Sequence, residues 1–398
     1  MFKILLTEEL VGAVERAAKV CPSKGVTVRE NAVLLKGVKR DRRTYVYTVS
    51  CNRWCRCVID GETEDFEVCI DKNAAKAIFP FYIGCEITEK GRNFVINAPT
   101  GGVKLTMFDA EEFVMPNFLE ESKESAYDLN SFRKALGVVA DNVIDPVKSE
   151  VNKNSNVVSV TLFEDKISAL SFGPATVSRA TYQYPEEYFS EEKKLLFNYI
   201  VMSSILNETY SEGDKFYFAE TDKVQQYRKD GVTVCASKVH LSDESFAKLN
   251  AAGETFLKAE RKWCKIHTTT FKNIVDKFVV FEKVTTDRGH RFPLQIKSKS
   301  DGLYLDIPSK SGEIRDVVPA VDGINIETQS NVNLDYFNQF ARSFANANAN
   351  EHSKKEMKVI NFTLGDDITQ PIILKGFGVD EDGNECSIEH LALKIRVK

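Results

Sequence analysis

One pattern recurs six times along this chain and limits what it can fold into: an apolar strand, a small polar residue, then about three turns of amphipathic helix. The first copy is Phe2-Lys-Ile-Leu-Leu, capped near Thr7, with Leu10, Val11, Val14, Ala17 and Ala18 at helical spacing. The second runs Phe66-Glu-Val-Cys-Ile, cap Asp71, then Ala74, Ala75 and Ile78. The third is Ala126-Tyr-Asp-Leu, cap Asn130, then Phe132, Leu136 and Val139. Leu195-Leu-Phe with Asn198 leads into Ile200, Val201 and Leu206. Trp263-Cys-Lys-Ile with Thr268 leads into Phe271, Ile274, Val275 and Phe278. Ile324-Asn-Ile with Asn333 leads into Leu334, Phe337, Phe340 and Phe344. Side-chain oxygens of Ser, Thr, Asp and Asn satisfy the first unpaired helix N–H groups, which is why such residues mark helix starts. The caps are separated by 64, 59, 68, 70 and 65 residues. Unrelated helices would not keep that spacing.

Strands fill the intervals. Val26–Leu35, Tyr45–Cys51, Trp54–Ile59, Cys85–Thr88, Phe94–Asn97 and Val103–Phe108 read as β, as do Val157–Phe163, Ile167–Phe172, Phe216–Ala219, Thr233–Ser237, Leu303–Ile307, Val359–Leu364 and Ile372–Phe377. Turns such as Lys229-Asp-Gly separate them. Each copy is thus one helix laid across a small antiparallel sheet, an α+β class. A unit of about 65 residues buries little apolar surface alone, so pairing is expected. Polar joints at Glu120–Ser125 and Ala251–Glu254 suggest three domains of two units, 1–122, 123–258 and 259–398.

Composition excludes several classes. No apolar run approaches the roughly 18 residues of a membrane span, and the N-terminus lacks a signal-peptide pattern, so a cytoplasmic protein is expected. Nine cysteines without a secretion signal point to reduced thiols. The net charge of −5 argues against a polybasic nucleic-acid binder, although a chain can segregate positive charge onto one face. The cluster Cys51-Asn-Arg-Trp-Cys55-Arg-Cys57 lacks a second ligand pair at zinc spacing and fits buried strand positions. Asp380-Glu-Asp-Gly-Asn-Glu resembles half a calcium loop but has no distal Glu, and a hairpin turn is expected instead. The five histidines are scattered and no hydrolase or nucleotide-binding motif occurs. No cofactor and no catalytic activity are expected.

The opening Met-Phe-Lys-Ile-Leu-Leu-Thr-Glu-Glu-Leu, the segment Val103-Lys-Leu-Thr-Met-Phe-Asp-Ala-Glu-Glu-Phe-Val-Met-Pro-Asn and the strand Leu391-Ala-Leu-Lys-Ile-Arg-Val-Lys resemble the bacterial sliding clamp, the β subunit of DNA polymerase III. The resemblance covers the whole chain by pattern, with few identities, and suggests a divergent, phage-like or mobile-element lineage. It implies a DNA-clamp fold of three domains, closed as a homodimer into a ring around double-stranded DNA. The implied function is that of a processivity factor, holding DNA topologically and without sequence preference, with replicative polymerase and clamp loader as partners. The alternatives are a repeat-built structural or adaptor protein that never holds DNA, and a hydrolase using dispersed carboxylates.

The resemblance also assigns sites. Five of the six helices carry Lys or Arg near their starts. Arg16, Lys19, Lys72, Lys76, Arg133, Lys134 and Lys272 are candidate phosphate contacts, joined by the loop residues Lys24, Lys148 and Lys153. Plain solvated helix faces and loops are the competing reading. Partner peptides would enter a cleft between domains two and three, lined by Val158, Phe172, Pro174, Thr176, Val177, Asn333, Tyr336, Leu393, Ile395, Arg396 and Val397. The Phe172-Gly-Pro-Ala-Thr turn departs from the family's Asp-Gly-His-Arg, which bears on peptide specificity. Ring closure would use Ala77, Phe81, Val103 and Leu105 on one side, Phe278 and Val280 on the other. Core packing is the alternative for each.

Overall fold

The computed structural model describes the chain except residues 1, 23–26, 51, 100, 145–156, 186–187, 190–191, 239–246, 248–250, 252, 256, 259–262, 286–292, 310–311, 324–327, 348–358, 366–369, 381 and 396–398. Six helices of seven or more residues occur among the described residues: α1 (Glu8–Val20), α2 (Lys72–Ile78), α3 (Leu129–Val139), α4 (Tyr199–Asn207), α5 (Thr268–Thr285) and α6 (Leu334–Ala347). They are the six of the repeat. Thr7 and Asp71 cap as expected, accepting from Leu10 N at 3.2 Å and Ala74 N at 2.7 Å. Asn198 accepts from Val201 N and Asn333 from Asp335 N, both at 2.9 Å.

Two caps were misplaced. Helix α3 starts at Leu129 and α5 at Thr268 itself, so Asn130 and Thr268 lie inside their helices. Runs of polar residues at these junctions offer several competing starts, and composition does not choose among them. A third correction concerns 26–35. Thr27 caps one helical turn over Val28–Asn31, its Oγ1 accepting from Glu30 N at 3.4 Å and donating to the Glu30 carboxylate at 3.2 Å. The strand begins only at Ala32 and runs to Val38. The sixth copy's strand, Ile324-Asn-Ile, lies outside the described residues, and the strand leading into α6 is Thr328–Val332.

The chain divides into two compact units. The first comprises 1–129 and 203–238 and contains one twelve-stranded antiparallel sheet. Eight of its strands come from residues 3–108. The other four are Ser125–Asp128, Lys215–Glu220, Val224–Lys229 and Val232–Ser237. The joint is Arg53–Asp60 against Val232–Ser237, with Cys55 opposite Val234. Asp230 and Gly231, at φ +46° and +74°, make the left-handed two-residue turn that a tight hairpin requires. Against this sheet α1 buries Leu10, Val11, Val14, Ala17 and Ala18, the stripe read from the sequence. Cys55 and Cys57 lie buried with sulfurs 3.9 Å apart. The hydrogen bond with the Cys57 thiol, and then burial, push Cys55 well up, so it packs as a small apolar group.

The second unit, 130–202 and 239–398, repeats the plan. Its twelve-stranded sheet takes four strands from residues 157–198 and eight from 264–392. Here the joint is Thr176–Gln183 against Glu385–Ala392. The central stretch 123–258 therefore gives four strands to each sheet. Helices α5 and α6 pack together, Phe271 meeting Phe337 edge-on at 5.7 Å. Phe337, Phe340 and Phe344 of α6 are fully buried, each contributing about 2–3 kcal/mol of transfer free energy as an upper estimate. Asp380 N donates to Asn384 O at 2.9 Å and Gly383 N to Asp380 O at 3.1 Å, closing the expected hairpin turn between Ile372–Val379 and Glu385–Ala392.

Candidate functional site

The predicted peptide cleft falls on three segments of the second unit. The first is the turn Phe172–Thr176, closed by Gly173 N donating to Thr176 O at 2.9 Å. A Cβ on Gly173 would stand 2.2 Å from Thr176 Oγ1, so any larger residue would have to displace that hydroxyl. Phe172, Thr176 and Val158 are buried, Pro174 is exposed, and Val177 packs on Leu257, Ile373 and Leu391. The second segment is the chain leaving the last strand. Leu393 N donates to Ala175 O at 2.9 Å and Ile395 N to Asn331 O at 2.8 Å. The third is the start of α6, where Tyr336 N donates to Asn333 O at 3.1 Å.

Those main-chain bonds draw the nine described cleft residues into one region. Leu393 and Ile395 stay 47% and 36% exposed, an apolar strip that the fold itself leaves uncovered. Arg396 and Val397 lie outside the described residues.

The candidate phosphate contacts divide by environment. Arg16 and Lys19 are exposed on the side of α1 away from its buried stripe, Lys19 Nζ lying 3.4 Å from Asn207 Oδ1. Lys76 is exposed on α2. Lys72 is not: it is fully buried, donates to Glu30 O at 2.7 Å, and burial lowers its proton affinity. Arg133 is half-buried on α3. Lys134 beside it bonds Asp380 at 2.7 Å and Asp382 at 2.5 Å, so its charge is compensated within the fold. Lys272 pairs with Asp276 one turn on. Lys24, Lys148 and Lys153 lie outside the described residues.

The ring-closing candidates likewise separate. Phe278 is fully buried in the core, whereas Val280 on the same helix is 61% exposed. Phe81 is 83% exposed and Ala77 is exposed as well. Val103 and Leu105 are half-buried on the strand Gly101–Phe108. That strand pairs along Asn93–Ala98, but its other side meets Phe66–Asp71 only at Met107 and Phe108. Among the described residues, Val103–Thr106 therefore ladders on one side. The second unit has a like edge at Glu313–Val318, which ladders with Gly302–Ser309 while Cys264–His267 meets only the residues after it.

Sequence reasoning overlooked His390. It is fully buried between Ser178 and Ser343, with Nδ1 2.7 Å from Ser178 Oγ. The available signal was parity, since His390 shares a strand face with Ile388 and Ala392. Among the described residues no group of three His, Cys, Asp or Glu could hold a metal, and no helix is long and apolar enough to cross a membrane.

No protein-family model and no curated protein sequence matches the chain. Solved structures do match it over its full length. A DNA polymerase III beta chain from Streptococcus pneumoniae superposes with a TM-score of 0.76 at 9% identity, covering 100% of this chain and 99% of that one. A DNA polymerase III beta subunit from Thermotoga maritima gives 0.74 at 13% identity, with 100% and 99% covered. A DNA polymerase III beta sliding clamp from Pseudomonas aeruginosa, bound to griselimycin, gives 0.74 at 11%, again with 100% and 99% covered. The chain has the sliding-clamp fold of DNA polymerase III beta subunits.

Proposed function

We infer that this protein is a non-enzymatic processivity factor, a sliding clamp that closes as a homodimer around double-stranded DNA. The observation that carries the reading is the full-length match of fold, covering 99% or more of both chains. The reading keeps the three-domain division 1–122, 123–258 and 259–398, and among the described residues each of these stretches holds two of the six longer helices and eight of the twenty-four strands. The exposed Arg16, Lys19 and Lys76 supply the sparse positive charge that sliding needs: enough to favour a nearby phosphate backbone, too little to arrest movement. The one-sided edges at Val103–Thr106 and Glu313–Val318 are suited to pairing across a dimer, since an unpaired strand edge readily accepts another strand. Ring closure would then protect both. The strip at Leu393 and Ile395, beside Asn333, Tyr336 and the Phe172–Thr176 turn, is suited to an apolar segment of a polymerase or clamp loader.

The test is retention. Protein loaded on circular duplex should persist in high salt and leave when the circle is cut, because linkage is topological whereas phosphate contacts are screened. Equal salt-sensitive loss from circles and linear DNA ends the reading in favour of a structural or adaptor role. For the cleft, Tyr336→Ala should abolish polymerase stimulation while scattering still reports a dimer.

A further inference from the structure

Beneath the Phe172–Thr176 turn runs an unbroken series of side-chain hydrogen bonds. Thr176 Oγ1 lies 2.8 Å from Asn142 Oδ1, and Asn142 Nδ2 lies 2.6 Å from Ser178 Oγ. Ser178 Oγ meets His390 Nδ1 at 2.7 Å. His390 Nε2 bonds Ser343 Oγ, which bonds Phe340 O at 2.9 Å. All five side chains are buried, between 1% and 7% exposed. The imidazole stacks flat on Phe340, with centroids 4.4 Å apart, and meets Phe344 edge-on at 5.1 Å.

Donor counting gives the series a direction. A carbonyl only accepts, so the Ser343 hydroxyl spends its one proton on Phe340 O and must accept from His390 Nε2–H. Thr176 donates to Asn142 Oδ1, Asn142 Nδ2 donates to Ser178, and Ser178 donates to a bare Nδ1. Every bond runs the same way through a neutral ring. Turning the Asn142 amide over would demand protons on both ring nitrogens, and burial pushes this imidazole down to about 3.

We propose that His390 is the positioning residue of the partner cleft, tying the Phe172–Thr176 turn to helix α6 so that its two walls keep a fixed spacing. The proposal rests on the cleft reading above. One end of the series is Thr176 in the turn. The other is α6, which Asn333 caps and whose first turn carries Tyr336. A helix transmits that anchor rigidly, whereas the main-chain bonds of Leu393 and Ile395 hold only the tail between the walls. The walls are then set before any partner arrives, and an apolar peptide meets a preformed groove.

The test follows amide hydrogen exchange in the full chain at Gly173, Leu393 and Ile395, whose N–H groups close the cleft backbone. His390→Phe keeps the ring stack and removes both bonds, and Ser178→Ala removes a single link should His390→Phe not fold. Each should raise exchange at these amides about tenfold, the loss expected for about one buried hydrogen bond, with strand Arg43–Ser50 unchanged. His390→Gln should restore protection, because one carboxamide can accept from Ser178 and donate to Ser343. Nitrogen NMR of the wild type should show a neutral ring protonated at Nε2. Unchanged exchange at the three amides, no rescue by glutamine, or a proton on Nδ1 overturns the proposal. Exchange does not involve DNA. A wild-type chain that fails the circular-DNA test yet shows the rise and the rescue loses the clamp reading and keeps the tie between the walls.

Discussion

Lys72 donates from its ammonium group to the backbone carbonyl of Glu30 at 2.7 Å, with its whole side chain out of solvent. A cation in that position joins the start of α2 to the turn before the strand Ala32–Val38. Lys72→Met, which keeps the stem and removes the charge, should therefore leave DNA association unchanged. Lys72→Ala should cost about 2–4 kcal/mol of stability through the cavity left behind. Arg16→Ala with Lys19→Ala should do the reverse, keeping the melting temperature. It should lower duplex affinity and reduce the slope of log K against log salt by about one per residue removed. Equal effects of Lys72→Met and the α1 pair on DNA would refute the division.

The two one-sided edges make a second expectation. Proline removes an amide donor and cannot sit within a ladder. At Lys104 or Val317, whose amides face the free side of their strands, it should turn the proposed dimer into a monomer by scattering. The intact ladder bonds should suffer less than a proline in the interior strand Arg43–Ser50 would cause. Phe81→Asp and Val280→Asp should leave the monomer folded, because both side chains are already exposed. Phe278→Ala should unfold part of the population, at about 3–5 kcal/mol. A dimer indifferent to both prolines would place closure elsewhere.

The repeat was legible because its signals are local: caps and 3.6-residue stripes at Thr7, Asp71, Asn198 and Asn333 need no partner from afar. The buried stripe of α1 was read residue for residue for the same reason. What failed was non-local. Nothing near Lys72 or Lys134 in sequence says that Glu30 or Asp380 waits for it, and a charged residue near a helix start looks the same whether it meets solvent or a distant acceptor. His390 belongs to this class too, since its partners Ser178 and Ser343 stand 212 and 47 residues away.

Asp380 illustrates the cost of such a partner. It accepts from Asp382 N at 3.0 Å, Asn384 N at 2.8 Å, Asn384 Nδ2 at 3.2 Å and Lys134 Nζ at 2.7 Å, and only 7% of its side chain is exposed. Asp380→Ala should therefore destabilise by about 1–3 kcal/mol, since it removes the acceptor of the hairpin amides and leaves Lys134, itself 12% exposed, with only the more exposed Asp382. Lys134→Met should cost less, because backbone donors still satisfy the carboxylate. Denaturation midpoints of the two variants, compared at low and high salt, check the order. A larger loss for Lys134→Met would contradict it.

The buried imidazole sets the last expectation, in acid. Burial holds His390 near 3 in the folded chain against about 6.5 for a free histidine. Between those values the unfolded chain binds a proton that the folded chain refuses, so stability is full above about pH 6.5 and falls as pH drops through this window. The slope from this one group approaches about 1.4 kcal/mol per pH unit. Carboxylates also titrate toward the lower end, so the informative quantity is a difference. Unfolding free energies of wild type and His390→Gln, measured from pH 7 to pH 4.5, should converge as pH falls, because glutamine has no such proton to gain. Parallel curves would mean that the folded ring accepts a proton as readily as the unfolded one, which the one-way series from Thr176 to Phe340 O forbids.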